Sequence, residues 1–214
     1  MKIVYIVHAV DTEGPLYESL KAKFERIKNI FGISTKDYSK ANFKRLLLKK
    51  VKYKNKNIKV SDIFSNHLNN YNENWKQLDE MVTAMMKKEF RSKYLDSFKE
   101  CWKFTWHCLD HIGYKNNPRK RTLGDHKIFD YYQKKIKKHK TYGDSIQWHY
   151  HPISTFNDAH FCATSYFRKE GIYEALCKKI LDRNFFPSCY RAGFQSERPD
   201  SHWFLEQWIP FDIT

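Results

Sequence analysis

The chain of 214 residues contains no run approaching the roughly 18 apolar residues that a membrane-spanning helix requires. Its one apolar N-terminal run, Ile3 to Val10, is interrupted only by His8 and is short. It ends in acids rather than a cleavage site, so it reads as a buried strand and not as a signal peptide. Cysteine is sparse and odd in number. Cys101, Cys108, Cys162, Cys177 and Cys189 are scattered and form no CxxC pair, so neither a disulfide framework nor a four-cysteine zinc site is indicated. Reduced, mostly buried thiols and a cytoplasmic location are the expectation. No internal repeat and no inter-domain linker is visible.

Acid is also scarce. Asp and Glu number 24 against 39 Lys and Arg, a formal net charge of +15. The excess is dense from Lys36 to Lys59 and again in Lys134–Lys140. Neither cluster has a helix-turn-helix pattern, a zinc-finger spacing or an aromatic RNA-binding signature, so nucleic acid is not the expected partner. An anionic polysaccharide or a membrane surface accounts for the charge equally well.

What the chain does have is apolar and aromatic content, 41% and 17%, enough for one folded domain with a sizeable core. Residues 2–10 read as a strand buried on both faces. Leu16, Leu20, Phe24, Ile27 and Phe31 then recur at helical spacing, with Gly32 as a stop. A lysine-rich insertion spans about 33–70, followed by a helix over about 73–90. Downstream, strand signals in "CWKFTWHCLDHIG", "DSIQWHYHP", "PSCYRAGF" and "IPFDIT" alternate with helical stretches from Asp125, Tyr166 and Asp200. Such alternation predicts an α/β fold with a parallel sheet or barrel.

Three strand ends carry chemistry. In "SIQWHYHP", period-two alternation puts Ile146, Trp148 and Tyr150 on one face and Gln147, His149 and His151 on the other. Histidines two apart on a strand can reach one metal ion; the alternative is a hydrogen-bonded pair in a groove. In "AVDTEGP", Asp11 and Glu13 end an apolar strand, where two carboxylates are costly to bury without cations. One could bind metal and the other serve as a base, or Asp11 could cap the next helix and Glu13 be solvated. In "CYRAGF", Arg191 could orient a carboxylate, and the small residues after it permit close approach; a structural or surface arginine is the alternative.

The order "DTEG", "HYHP", "YRAGF" resembles the motifs of polysaccharide deacetylases of the NodB-like carbohydrate esterase superfamily, over about residues 3–15, 144–153 and 188–212. That resemblance implies a distorted (β/α)7 barrel in a single domain of residues 1–214. It also implies one divalent metal ion, most often Zn2+, held by Glu13, His149 and His151. Asp11 matches the catalytic base and Arg191 the residue that positions it. Asp212 weakly matches a fourth-motif aspartate. The substrate implied is an acylated sugar or polysaccharide precursor, deacylated during surface-polysaccharide assembly, with a catalytically silent carbohydrate- or partner-binding barrel as the alternative. The family usually separates its two histidines by three residues. That register would put Gln147, not His149, at the first ligand position. The fifth-motif histidine has no counterpart before Thr214. The sequence stops there as a new strand begins, which would leave a barrel edge open, so either a portion beyond Thr214 or an unusual closure is expected. His111, His126 and His160 are the candidates to replace that histidine as proton donor. His107, Asp110 or His111 could line the cleft, and Trp102, Trp106, Trp148 and Trp203 could stack on sugar rings, though such tryptophans are more often core. Of these, His111, Trp148 and Asp212 are the expected substrate contacts.

Overall fold

The computed structural model describes residues 2–16, 19–64, 72–110, 126–151, 170–193 and 205–213. The chain forms two compact units, Pro15–Asp79 and the remainder, Met1–Gly14 with Glu80–Thr214. The lysine-rich segment 33–70 lies inside the first of these, which extends past it on both sides.

In Pro15–Asp79, helix α1 (Leu20–Phe31) opens where the Ser19 side chain accepts the Ala22 N–H. It closes on Gly32 at φ 71°, a left-handed cap that glycine adopts without a Cβ clash. Helix α2 (Lys40–Leu47) is capped by Ser39 in the same way. Strands β2 (Lys50–Tyr53) and β3 (Lys56–Lys59) form a hairpin turned by Lys54 and Asn55, both at positive φ as a two-residue primed turn demands. A single helical turn, α3 (Val60–Ile63), follows. Ile27, Val60 and Phe64 form the core, with Phe31, Phe43, Leu47 and Val51 packed against them.

Helix α4 (Trp75–Met85) and the short α5 (Lys88–Arg91) lead into the larger unit. There, β1 (Ala9–Thr12), β4 (Thr105–Asp110), β5 (Ser145–Tyr150), β6 (Cys189–Ala192) and β7 (Phe211–Asp212) form one parallel sheet in the order β1-β4-β5-β6-β7. Helices α6 (Lys127–Lys138) and α7 (Glu170–Arg183) lie between successive strands in the chain. Leu176 of α7 packs with Trp148, Tyr150, Tyr190, Ala192, Leu205 and Ile209. Trp106 meets Tyr132 of α6 with ring centroids 4.9 Å apart. The alternation read from "SIQWHYH" is realised: Trp148 and Tyr150 are core, while His149 and His151 face away from it. Among the described residues, no helix is long and apolar enough to cross a membrane.

The N-terminal expectation fails in part. Pairing starts at Ala9, not at Lys2, and Ile3 through Val7 are 64–86% exposed. Sheet burial needs a neighbouring strand, and β4 begins only at Thr105, opposite Ala9. Upstream of it the chain is turned back on itself by the Leu95–Cys101 bridge and by Asp96, whose carboxylate accepts the Phe98 and Glu100 N–H groups.

That end of the sheet is anchored by a buried ion pair. Arg91, 1% exposed, donates to both oxygens of Asp144 at 2.7 and 2.6 Å, to Met85 O and to Trp102 O. Asp144 in turn accepts the Phe104 N–H and the Trp106 indole N–H. One carboxylate thereby ties α5 to the entries of β4 and β5. Removing one partner of such a pair strands the other charge. Asp144→Ala should therefore cost about 3–5 kcal/mol in urea unfolding. A loss under about 1 kcal/mol, the scale of an exposed pair, would show that the pair does not anchor the sheet.

Candidate metal centre

Parallel pairing sets which side chains meet. Asp11 is opposite His107, His107 opposite Gln147, Leu109 opposite His149, and His149 opposite Arg191. Residues two apart share a face, so Asp11, His107, Gln147, His149 and Arg191 project from one face of the sheet, with Glu13 and His151 continuing past the strand ends. β1 and β6 have two strands between them, a backbone separation of about 14 Å in a flat sheet. Yet Arg191 Nε lies 3.0 and 3.1 Å from the two Asp11 carboxylate oxygens. A contact through Nε, short of the arginine tip, requires the sheet to curl toward this face.

The curl brings together three ligand-type side chains. His149 Nε2 lies 3.2 Å from His151 Nε2 and 3.8 Å from Glu13 Oε1, and His151 Nε2 lies 3.1 Å from Glu13 Oε1. A circle through three points with these separations has a radius of about 2.0 Å, the length of Zn–N and Zn–O bonds. The donor set therefore fits one divalent ion held by two imidazoles and a carboxylate. Both imidazoles are buried and the Glu13 carboxylate is about one-quarter exposed, so the centre opens outward on its acidic side. His149 Nδ1 is 2.9 Å from the Arg191 carbonyl oxygen. A carbonyl only accepts, so Nδ1 carries the hydrogen, and Nε2, the atom that faces His151 and Glu13, is the one available to a metal ion. Outer-shell bonds of this type hold metal-ligating histidines in the binding tautomer.

Arg191 has a second contact, donating from Nη1 to Ile213 O at 2.9 Å. It thus spans from β1 to the end of β7 and holds Asp11 beside the histidines, with Asp11 Oδ1 3.8 Å from His149 Nδ1. Gly193 stands against His151. A Cβ built there would fall 2.1 Å from His151 Cδ2, so only glycine allows the imidazole this position. His107 lies beneath the cluster, fully buried, with Nδ1 3.4 Å from Trp148 O. Burial holds its pKa below the ordinary histidine value, and the nearby His149 and Arg191 push the same way.

Several expected contacts lie elsewhere. Trp148 is 1% exposed on the helix side, its indole N–H donating to Asp110 at 2.7 Å, so it is core and not a sugar platform. Asp212 is in register with Tyr190, also on the helix side, and accepts the Tyr190 hydroxyl hydrogen at 3.2 Å. Gln147 is committed to β6: its carbonyl oxygen accepts the Ser188 and Cys189 N–H groups and its amide donates to Ser188 Oγ. It is not placed as a ligand. Asp110 pairs with Lys179 at 2.9 Å, both buried on the helix side, and His126 sits between Lys179 and Asp182 there. Burial pushes the Asp110 carboxyl up against the pull of that ammonium, and pushes the Cys108 thiol up to about 12. His111, His160 and Trp203 lie outside the described residues.

Two features went unread in the sequence. Lys179 falls among Ala175, Leu176 and Ile180 on the apolar stripe of α7, and a lysine in such a stripe signals a buried partner. The need for glycine at 193 had no sequence signal beyond "YRAGF", because it depends on where His151 arrives. No family model, curated protein or solved structure matches the chain.

Gly193→Ala should displace His151 and lower zinc affinity about 10–100-fold with the thermal midpoint little changed; unchanged affinity in a chelator competition would refute the close-packing argument. Stability should also fall as pH drops below about 6.5, since the unfolded chain binds a proton that buried His107 resists. His107→Gln should flatten that part of the stability–pH curve, measured by urea unfolding across pH 5–8; an unaltered curve would exclude His107 as its source.

Proposed function

We propose that the chain is a metal-dependent hydrolase that removes an acyl group, acetyl in the simplest case, from an amino sugar or polysaccharide precursor. In this reading it is a distorted (β/α)7 barrel akin to the polysaccharide deacetylases. One observation carries the proposal: Glu13, His149 and His151 converge at ligand spacing beside a carboxylate, Asp11, held by an arginine. The sheet order supports the barrel, since each strand adds on the same side of the last without the reversal of a doubly wound sheet.

Glu13, His149 and His151 would hold Zn2+ or a similar ion, which when bound would supply Lewis acidity toward an acyl carbonyl. The protein's own groups do the rest. Asp11, about one-third exposed, reaches the open side and takes the proton of the attacking water. Arg191 fixes that carboxylate, and the Ile213 carbonyl fixes the arginine. The Arg191 backbone oxygen keeps His149 in the tautomer that binds.

Protein purified without chelators should carry close to one divalent ion per chain by elemental analysis. His149→Ala with His151→Ala should lose it. Acetate release from N- and O-acetylated sugars should fall about 10²–10⁴-fold in Asp11→Asn, the range of a lost general base, with metal retained. No metal even after added zinc would overturn the centre. Bound metal with no acyl release from any substrate would favour a carbohydrate-binding barrel without catalysis.

A further inference from the structure

The Pro15–Asp79 unit carries fifteen Lys and Arg against six Asp and Glu, +9 of the chain's +15. The charge concentrates in "KKVKYKNKNIK", Lys49 to Lys59, with six lysines in eleven residues and no acid. The hairpin sorts these residues by face. Val51 pairs with Ile58, and Val51 packs on the core of the unit, while Tyr53 sets its ring 5.8 Å from Phe31. On the opposite face Lys50 pairs with Lys59 and Lys52 with Asn57, all exposed. Two lysines directly across a strand pair repel, and β2 and β3 hold no carboxylate to offset them. The nearest acid in sequence, Asp62, uses its side chain to accept the Lys59 backbone N–H at 2.8 Å. Lys49, Lys54 and Lys56 extend the exposed charge around the ribbon's ends.

We infer that this ribbon is a binding surface for an anionic polysaccharide, a chain bearing carboxylates along its length. A partner that supplies regularly placed negative charge relieves this cross-strand repulsion, for which no ion pair to Lys50, Lys52 or Lys59 is present among the described residues. The side chains present select among polyanions. Lysine is a compact, hydrated point charge without the guanidinium fork that reads base edges, and the outer face has no aromatic ring on which bases stack. Its apolar residues Val51, Tyr53 and Ile58 are on the other face, so the ribbon has nothing to insert into a bilayer. The choice of a sugar polymer rests on the hydrolase reading; the charge ribbon does not. The surface would retain a charged polymer on the same chain that deacylates it.

The test uses the full chain and three probes at matched salt: polygalacturonate, a 20-base-pair DNA duplex and phosphatidylserine vesicles. Polygalacturonate should bind tightest, with affinity falling as salt rises. The exposed triple variant Lys50→Glu, Lys52→Glu, Lys59→Glu should weaken it by at least about tenfold, as expected when counterion-releasing contacts are lost. Its thermal midpoint and its acetate release from a small neutral sugar should stay as in the unaltered chain. Undiminished binding by the variant would overturn the ribbon, and tighter binding to the duplex or the vesicles would overturn the polymer. Binding is read apart from catalysis, so polygalacturonate affinity in a chain that releases no acetate would sink the hydrolase reading alone.

Discussion

Everything at the candidate centre depends on the register of parallel pairing that sets Asp11 beside His107, and His149 beside Arg191. Side chains alternate with a period of two, so a slip of one residue in β5 would send both histidines into the helix layer and Trp148 and Tyr150 onto the face that carries the candidate centre. Burial prevents that slip. The two aromatics are 1% exposed, and exposing either forfeits roughly 1.5–3 kcal/mol of hydrophobic stabilisation. The apolar face thus sets the geometry of the polar one.

Buried charge reinforces this at both ends of the sheet. Arg91 and Asp144 bond to the segments entering β4 and β5, and Lys179 and Asp110 join α7 to the far end of β4. Each pair loses much of its Coulomb gain to desolvation, so neither is a large net source of stability. Their effect is on specificity: Asp144 satisfies Phe104 and Trp106, and Asp110 satisfies the Trp148 indole, so each carboxylate has its bonds only when the strands are in this arrangement. A misregistered sheet would leave these charges stranded. The candidate centre on the opposite face is built from more accessible acids, Asp11 and Glu13.

Much of this was legible in the residue order, and the misses have physical causes. Alternation in "SIQWHYH" assigned both faces of β5, and "AVDTEG" and "YRAGF" marked strand ends. Trp148 falls on the apolar face of that alternation, which buries it in the core and away from the histidines. Asp212 could not be assigned a face from a two-residue strand. The run Ile3–Val7 reads as a buried strand by composition, yet burial requires a neighbour that the turn around Asp96 removes. Gln147 and His149 were competing ligand positions until the Ser188 and Cys189 N–H groups claimed the glutamine.

By itself the sequence determined the α/β alternation, the segregation of apolar from polar side chains along β5, and the lysine excess between Lys36 and Lys59. These are local properties, set by periodicity and by a run of lysines from Lys49 to Lys59 with no acid within it. Only the tertiary structure decided that the ligand-type atoms of residues 13, 149 and 151 lie close enough together that they could hold one ion, that Arg191 reaches Asp11 across two intervening strands, and that position 193 must be glycine. Those facts depend on the curl of the sheet and the arrival of side chains distant in sequence. A single intervening residue, Tyr150, suffices between the two histidines because the strand pleat places both imidazoles on the face toward which the sheet curls.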